Sequence, residues 1–457
     1  MAAHPIRLAV ADDDLRRSRL TVFFRVLLFL PHLVWALLWL VAVYVVAIIN
    51  WFVTLFSGTP ADWAHRFLSR YLRYWVHILA FLLVAANPFP GFTGRPGSYP
   101  VDIEIDPRAR QYRWATGFRW ILWYPALALY TPLGVLGSSN SYSSSPGTAV
   151  IAGILGWWSA LIRGRMPQGL RNLIVYGLGY GAQTFGYGVF LLTDRFPNSD
   201  PYAVPAVAEE HDHPVQTVVT DDTRRWQVHV AFRYFTALPH FFWLGIWAWY
   251  VVPLLVVINW FVMLFRGRTV PFFQDFFAFF LRYTTHLAAY LTILADPFPG
   301  FMGRPGSYPI DLVVPPLVRQ SRWRIGFRIV LAIPALLLAS ALSGVLSAVA
   351  TLGWFAAVFT ARMPVGLRNL GVFVLRYVQQ TLAYSFYLVT EVYPYSGPAA
   401  GPPPPPPAPP RDWPRGEPVP GWPPAPAASD AAAATPSEPR APGGPPPPPE
   451  PPPAPPA

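Results

Sequence analysis

Apolar residues run along this chain in long blocks separated by short polar turns. The blocks lie near 31–56, 70–90, 119–162 (interrupted), 172–192, 237–265, 278–295, 329–360 and 370–390. Several reach the ~20 residues that a helix needs to cross a bilayer. Blocks are joined in pairs by turns of Gly, Arg and Pro, so they read as four helical hairpins. A short alternating segment stands ahead of each hairpin: HPIRLAV from His4, YPVDIEI from Tyr99, HPVQTVV from His213 and YPIDLVV from Tyr308. Period-two alternation with β-branched residues after a proline predicts a short strand. An Arg-rich amphipathic stretch, such as LRRSRLTVFFRVLLFL or RWRIGFRIVLAIP, then predicts an elbow lying in the membrane interface.

The pattern repeats. NPFPGFTGRPGSYPVDIEIDP (Asn87–Pro107) returns as DPFPGFMGRPGSYPIDLVVPP (Asp296–Pro316), and RMPQGLRNL (Arg165–Leu173) returns as RMPVGLRNL (Arg362–Leu370). Residues 1–205 and 206–396 are therefore homologous halves. Each holds two units, near 4–98 and 99–205, then 213–307 and 308–396. Two crossings per unit put every unit start on one side, which predicts parallel repeats related by an axis along the membrane normal. The fold class predicted is all-α integral membrane. Eight helices form four repeated hairpins, and four short β-strands make a small cap on the terminal side. The Ser-rich insert SSNSYSSSPGTA (Ser138–Ala149) interrupts the third block and predicts a loop at the interface.

Composition agrees. Hydrophobic residues make up 53% and charged residues 12%, against about 25% charged in a soluble domain. The 19 Trp suit interfacial belts. The absence of Cys excludes disulfides, thiolate metal sites and cysteine nucleophiles. All 34 basic residues are Arg and the net charge is +11. These Arg lie beside apolar helices, so lipid headgroups rather than nucleic acid are the expected partners. Arg is more frequent on the terminal side than at the hairpin turns, which predicts cytoplasmic termini. No cleavable signal pattern precedes Asp14. From Gly397 to Ala457 the chain carries half of its 56 prolines. This Pro/Ala-rich tail is expected to be disordered polyproline II, a spacer or a ligand for aromatic grooves.

Candidate chemistry is thin. Asn50 with His77, and Asn259 with His286, form a repeated polar pair within apolar blocks, where such residues mark paths or fix packing. His32 and His240 are placed to join them. Arg66, Arg70 and Arg73 share one helix face. With Arg282 and Arg376 they are interfacial lipid or anion candidates, or long side chains snorkelling to headgroups. Gly177 and Gly181 form a small-residue packing motif. Asp194 and Glu391 close their hairpins and suit capping or an elbow ion pair. Neither metal spacing nor a nucleophile elbow or phosphate loop is present, so no cofactor and no metal are expected.

The Pro-His before the first helix, INWFVTLFSG or INWFVMLFRG at its end, and LLTDRFP closing a hairpin resemble the uncharacterised bacterial and archaeal membrane family known as domain of unknown function 4389. The resemblance covers about residues 4–396 in four tandem units. The second and fourth depart from it, since Pro125 and Pro334 precede Ala rather than His, and Glu391-Val392 replaces Asp-Arg. It implies a bacterial plasma-membrane location and supplies no activity. The sequence thus predicts a multi-pass membrane protein, not an enzyme. The expected role is scaffold or assembly factor with protein partners at the cap or tail. The alternative is a transporter or channel with its path between the halves.

Overall fold

The computed structural model describes residues 3–11, 14–140, 143–207, 211–316 and 319–398. The Pro/Ala-rich tail beyond 398 lies outside them. The described chain is mostly helical.

The first unit holds β1 (Ile6–Val10), α1 (Arg19–Phe23), α2 (Arg25–Ser57) and α3 (Asp62–Leu82). The second holds β2 (Val101–Ile105), α4 (Arg113–Gly117), α5 (Arg119–Leu133), β3 (Ser138–Asn140), β4 (Ser143–Ser145), α6 (Thr148–Arg163) and α7 (Gln168–Gly188). The third has β5 (Gln216–Val219), α8 (Gln227–Thr236), α9 (Leu238–Ile246), a π-helical turn at Trp247–Val251, α10 (Val252–Arg266) and α11 (Pro271–Leu291). The fourth has β6 (Ile310–Val313), α12 (Arg322–Gly326), α13 (Arg328–Thr360) and α14 (Val365–Ser385). The Ser-rich insert forms the β3–β4 hairpin.

Each unit's first long helix ends on a residue in the left-handed conformation: Gly58, Gly164, Gly267 and Ala361, with φ from 55° to 78°. A cap of this kind satisfies the last carbonyls of a helix. Among the described residues, three helices are long and apolar enough to cross a membrane: Arg25–Ser57, Gln227–Arg266 and Arg328–Thr360. Along α2 the buried positions form one narrow stripe through His32, Ala36, Val43, Ala47, Asn50 and Thr54. The remaining faces expose Leu, Val, Ile, Phe and Tyr. Apolar surface of that extent needs a non-aqueous neighbour.

The second helices are different. The apolar block near 70–90 predicted a helix later and greasier than the one formed, Asp62–Leu82, which begins among Arg and His. Its counterparts α7, α11 and α14 are likewise buried along most of their length. They form a middle layer. Tyr74 of α3 reaches His32 of α2 (3.0 Å), while Arg73 of α3 bonds the Ile103 carbonyl of β2 (3.1 Å). Gln183 of α7 bonds the Ile6 carbonyl of β1 (2.9 Å). First helices, second helices and strands are thus stacked in order.

Two sequence expectations need correction here. The four strands do not build one cap on the terminal side. They pair antiparallel two by two, β1 with β2 and β5 with β6, and each ribbon lies along the second helices rather than beyond their ends. The units are not parallel either. The Gln111 amide, before the second elbow, bonds the Gly58 carbonyl in the first unit's hairpin turn (2.8 Å), and the Arg17 amide bonds Gly164 in the second unit's turn (2.9 Å). The same reciprocal bonds join Gln320 to Gly267 and Arg225 to Ala361. In the second half Phe277 stacks on Tyr387 while Leu294 meets Gly371, so residue numbers rise along α11 as they fall along α14. Within each half the units run in opposite directions. The joint 87–110 makes this reversal: it carries β2 back along α3 and delivers the next elbow to the opposite end. Arg19 and Arg113 accordingly lie at opposite ends, at the Ile162 carbonyl and beside Gly58.

The halves meet edge to edge. α13 packs on α5 and α6, with Gly344 beside Pro132. The Asn369 amide bonds the Asp200 carboxylate (2.9 Å). Glycines set the close approaches of α7: Gly177 and Gly181 face Leu133 and Tyr130 of α5, while Gly179 and Gly186 face Leu8 and Ile6 of β1.

Candidate functional site

Four buried guanidiniums repeat at the elbows. Each stands six residues before a proline: Arg25 and Pro31, Arg119 and Pro125, Arg233 and Pro239, Arg328 and Pro334. All are essentially unexposed. The elbow turns each one inward over an aromatic ring at the far end of its own second helix: Phe81 (4.5 Å), Tyr187 (4.2 Å), Tyr290 (4.4 Å) and Tyr384 (4.3 Å). Arg25 also bonds the carbonyls of Phe81 (2.7 Å) and Ala86 (3.1 Å). Arg233 bonds those of Tyr290 and Ala295 and the Asp296 carboxylate (2.7 Å). Arg119 and Arg328 reach Gln111 (2.9 Å) and Gln320 (2.7 Å) instead. Orphan carbonyls at a helix end need donors, and a cation over a ring supplies both contacts. These Arg close each hairpin onto its elbow.

The second constellation occurs twice. His77 Nε2 lies 2.9 Å from Asp102 Oδ1, and Arg73 Nε lies 3.1 Å from the same oxygen. The Ile103 amide donates to Oδ1 (2.7 Å) and the Gly97 amide to Oδ2 (2.6 Å). Burial acts to raise the Asp102 carboxyl, but the His77 bond and the two amides outweigh it, and the net shift is downward. The His77 ring lies tilted against Tyr99, with centroids 5.0 Å apart. In the other half His286 bonds Asp311 (2.8 Å), the Gly306 and Leu312 amides donate to that carboxylate, and Arg282 holds the Leu312 carbonyl (2.9 Å). Both Asp102 oxygens are therefore occupied by the fold itself. A His–Asp pair can orient a base for a nucleophile, yet a carboxylate with three internal donors and a paired guanidinium acts as a clasp that ties the joint loop to the second helix. Gly94 seats that loop. With φ +57°, its added Cβ would lie 2.1 Å from the Arg70 carbonyl. Gly94→Ala is expected to cost about 2 kcal/mol or more, read as a lowered melting temperature in detergent.

The sequence candidates fall as follows. Asn50 and His77 do not meet: Asn50 donates to the Phe190 carbonyl (3.1 Å) and accepts from the Ala61 amide (3.1 Å). Asn259 likewise reaches Tyr387 and Thr269, away from His286. His32 and His240 are held by Tyr74 and Tyr283 rather than by the other pair. Arg66 is exposed and pairs with Asp62 one turn back (2.8 Å); Arg70 is exposed and Arg73 buried. Arg376 bonds the Gly397 carbonyl (2.7 Å). The five Arg candidates thus do not converge. Glu391 lies 3.7 Å from the elbow Arg324. No cluster of three or more His, Asp or Glu suited to a metal occurs among the described residues.

Sequence reasoning missed Asp102, Asp311 and the four elbow Arg. Both signals were present: the Asp stands at the same place in each copy of GRPGSYP(V/I)D, and the Arg keeps its distance from the proline. The helices hold the same order. His77, Gln183, His286 and Gln380 occupy equivalent positions, and Gln380 bonds the Val215 carbonyl of the strand segment (2.9 Å) just as Gln183 bonds Ile6.

A family model described as a domain of unknown function (DUF4389) matches residues 19–93, 227–303 and 322–396. These stretches lie in the first, third and fourth units. The unit without a match is the one carrying the β3–β4 insert and the glycine-rich α7. No curated protein and no solved structure matches the chain.

Proposed function

The chain belongs to the DUF4389 family, and on that premise we propose that it is a multi-pass membrane protein that performs no chemistry and serves as a scaffold. In this reading the four hairpins supply eight helices that cross a bacterial plasma membrane. The apolar outer faces of the first helices contact lipid. The observation that carries the proposal is the internal pairing of the repeated polar groups. Among the described residues Asp102 and Asp311 take their donors, and the elbow Arg their ring, carbonyl and Gln partners, from inside their own half.

The ribbon side supports a partner-facing role. The β1–β2 ribbon carries Arg7 in ion pairs with Asp106 (2.7 Å) and Glu104 (3.5 Å), all at least partly exposed. Charges are not tolerated against hydrocarbon. This face therefore meets water or another protein, while the Arg at both ends of each half meet anionic headgroups. The tail from 397 remains a second candidate for protein partners.

A photo-crosslinking residue at position 104 in cells is expected to yield protein adducts, and one at position 41 lipid adducts. Lipid adducts at both positions would defeat the scaffold reading. A transporter is the alternative, favoured by one observation: inverted units are a common transporter plan. It requires solute flux in proteoliposomes that is lost in the His77→Ala/His286→Ala double variant, with both proteins shown to fold.

A further inference from the structure

The third unit differs from the first by one residue. Pro31 corresponds to Pro239, a separation of 208, whereas Asn50 corresponds to Asn259, a separation of 209. The extra residue is absorbed by the π-helical turn Trp247–Val251. Single π-turns inside α-helices mark inserted residues and recur at functional sites.

Here the turn opens a cavity. In the first unit Trp39 fills the space between α2 and α3, within 5.4 Å of both Tyr71 and Tyr74 and 6.0 Å of Phe67. Its counterpart Trp247 keeps a contact with Phe276 (5.7 Å) and stands away from the rest of α11. The space left is about 360 Å³, lined by Trp243, Trp247, Phe276, Phe280 and Tyr283, with Asp275 on its wall. The Trp247 indole N–H is buried and has no acceptor. The first unit has Arg66 where the third has Asp275, so this carboxylate is peculiar to the open site. Arg282, two turns further along α11, bonds the Leu312 carbonyl and lies within electrostatic reach of Asp275, outside this cavity's lining.

We propose that this cavity binds an organic cation, an ammonium group carried on an apolar frame. Aromatic faces attract a desolvated cation through their quadrupoles, and Asp275 supplies a formal negative charge on the cavity wall. The ammonium could belong to a free solute or to a lipid headgroup reaching in from the bilayer.

The test uses the full chain in phosphatidylglycerol nanodiscs, with benzyltrimethylammonium titrated by calorimetry. Saturable binding is expected, weakened about tenfold or more by Asp275→Asn and abolished by deleting Ala248, which restores the α-helical register. Asp275 is exposed, so its variant carries the test even where the deletion fails to fold. Replacing half the lipid with phosphatidylethanolamine separates the sources. A weaker apparent affinity identifies a lipid ammonium as the occupant, and an unchanged one a free cation. Absence of saturable binding, or equal binding by wild type and Asp275→Asn, overturns the proposal.

Discussion

Arg233→Met is expected to destabilise the protein by about 2–4 kcal/mol, because buried carbonyls lose a charged donor and a half-buried carboxylate loses its cation. Asp296, partly exposed and still held by the Trp226 amide, would lose its charge partner, and the buried Tyr290 and Ala295 carbonyls would lose their Arg donor. Met preserves much of the volume, so the loss reports polar contacts rather than a void. Arg25→Met makes a controlled comparison. Arg25 has the same ring and carbonyl contacts, but Asn87 stands where the third unit has Asp296. Its cost is therefore expected to be smaller, about 1–3 kcal/mol. Equilibrium unfolding in mixed micelles checks both. A loss below about 1 kcal/mol for Arg233→Met, or a larger loss for Arg25→Met, would contradict the role given to the elbow.

Asp102→Asn should release the joint loop. Arg73 is buried against this carboxylate, and the neutral amide leaves that cation unpaired, at a cost of about 3 kcal/mol. The loss is local, because Asp102 ties residues 97–103 to α3 and nothing in the other half replaces it. Phe92 lies in this loop, is exposed and is followed by Thr93 rather than by proline, so chymotrypsin reads the opening. Cleavage there should rise about a hundredfold if it follows the open population, while sites in 213–307 keep their wild-type rate. His77→Gln should be mild by contrast, because Gln183 and Gln380 already serve at the equivalent position in the other units. A chymotryptic rate at Phe92 that Asp102→Asn leaves unchanged would show that the clasp does not hold the loop.

Much of this arrangement is legible in the residues. Hairpin turns and all four unit-opening strands follow from period, proline and glycine alone. The direction of the units does not. Counting apolar blocks treats 87–110 as a connection at one interface, because Pro and Gly dominate its first half and its apolar run is only five residues. In the structure that segment is long enough to travel back along α3, and its strand pairs with β1 from the unit's own start. Pairing partners are a tertiary choice that alternation cannot report. The polar site was misread for a related reason. Asn50 and His77 look like partners because both interrupt apolar blocks, whereas the group that satisfies His77 is Asp102, inside a strand that shows only its alternation.

The inverted pairing within each half, combined with helices that cross the membrane, is the claim on which the account rests. Because the chain has no cysteine, a single introduced thiol reports its own location. Ser57→Cys and Arg165→Cys place one in each hairpin turn of the first half, at exposed positions. Labelling whole cells with a membrane-impermeant maleimide, before and after permeabilisation, reads the side of each. The account predicts opposite sides: one thiol reacts in intact cells and the other only after permeabilisation. Two thiols that react from the same side would contradict it.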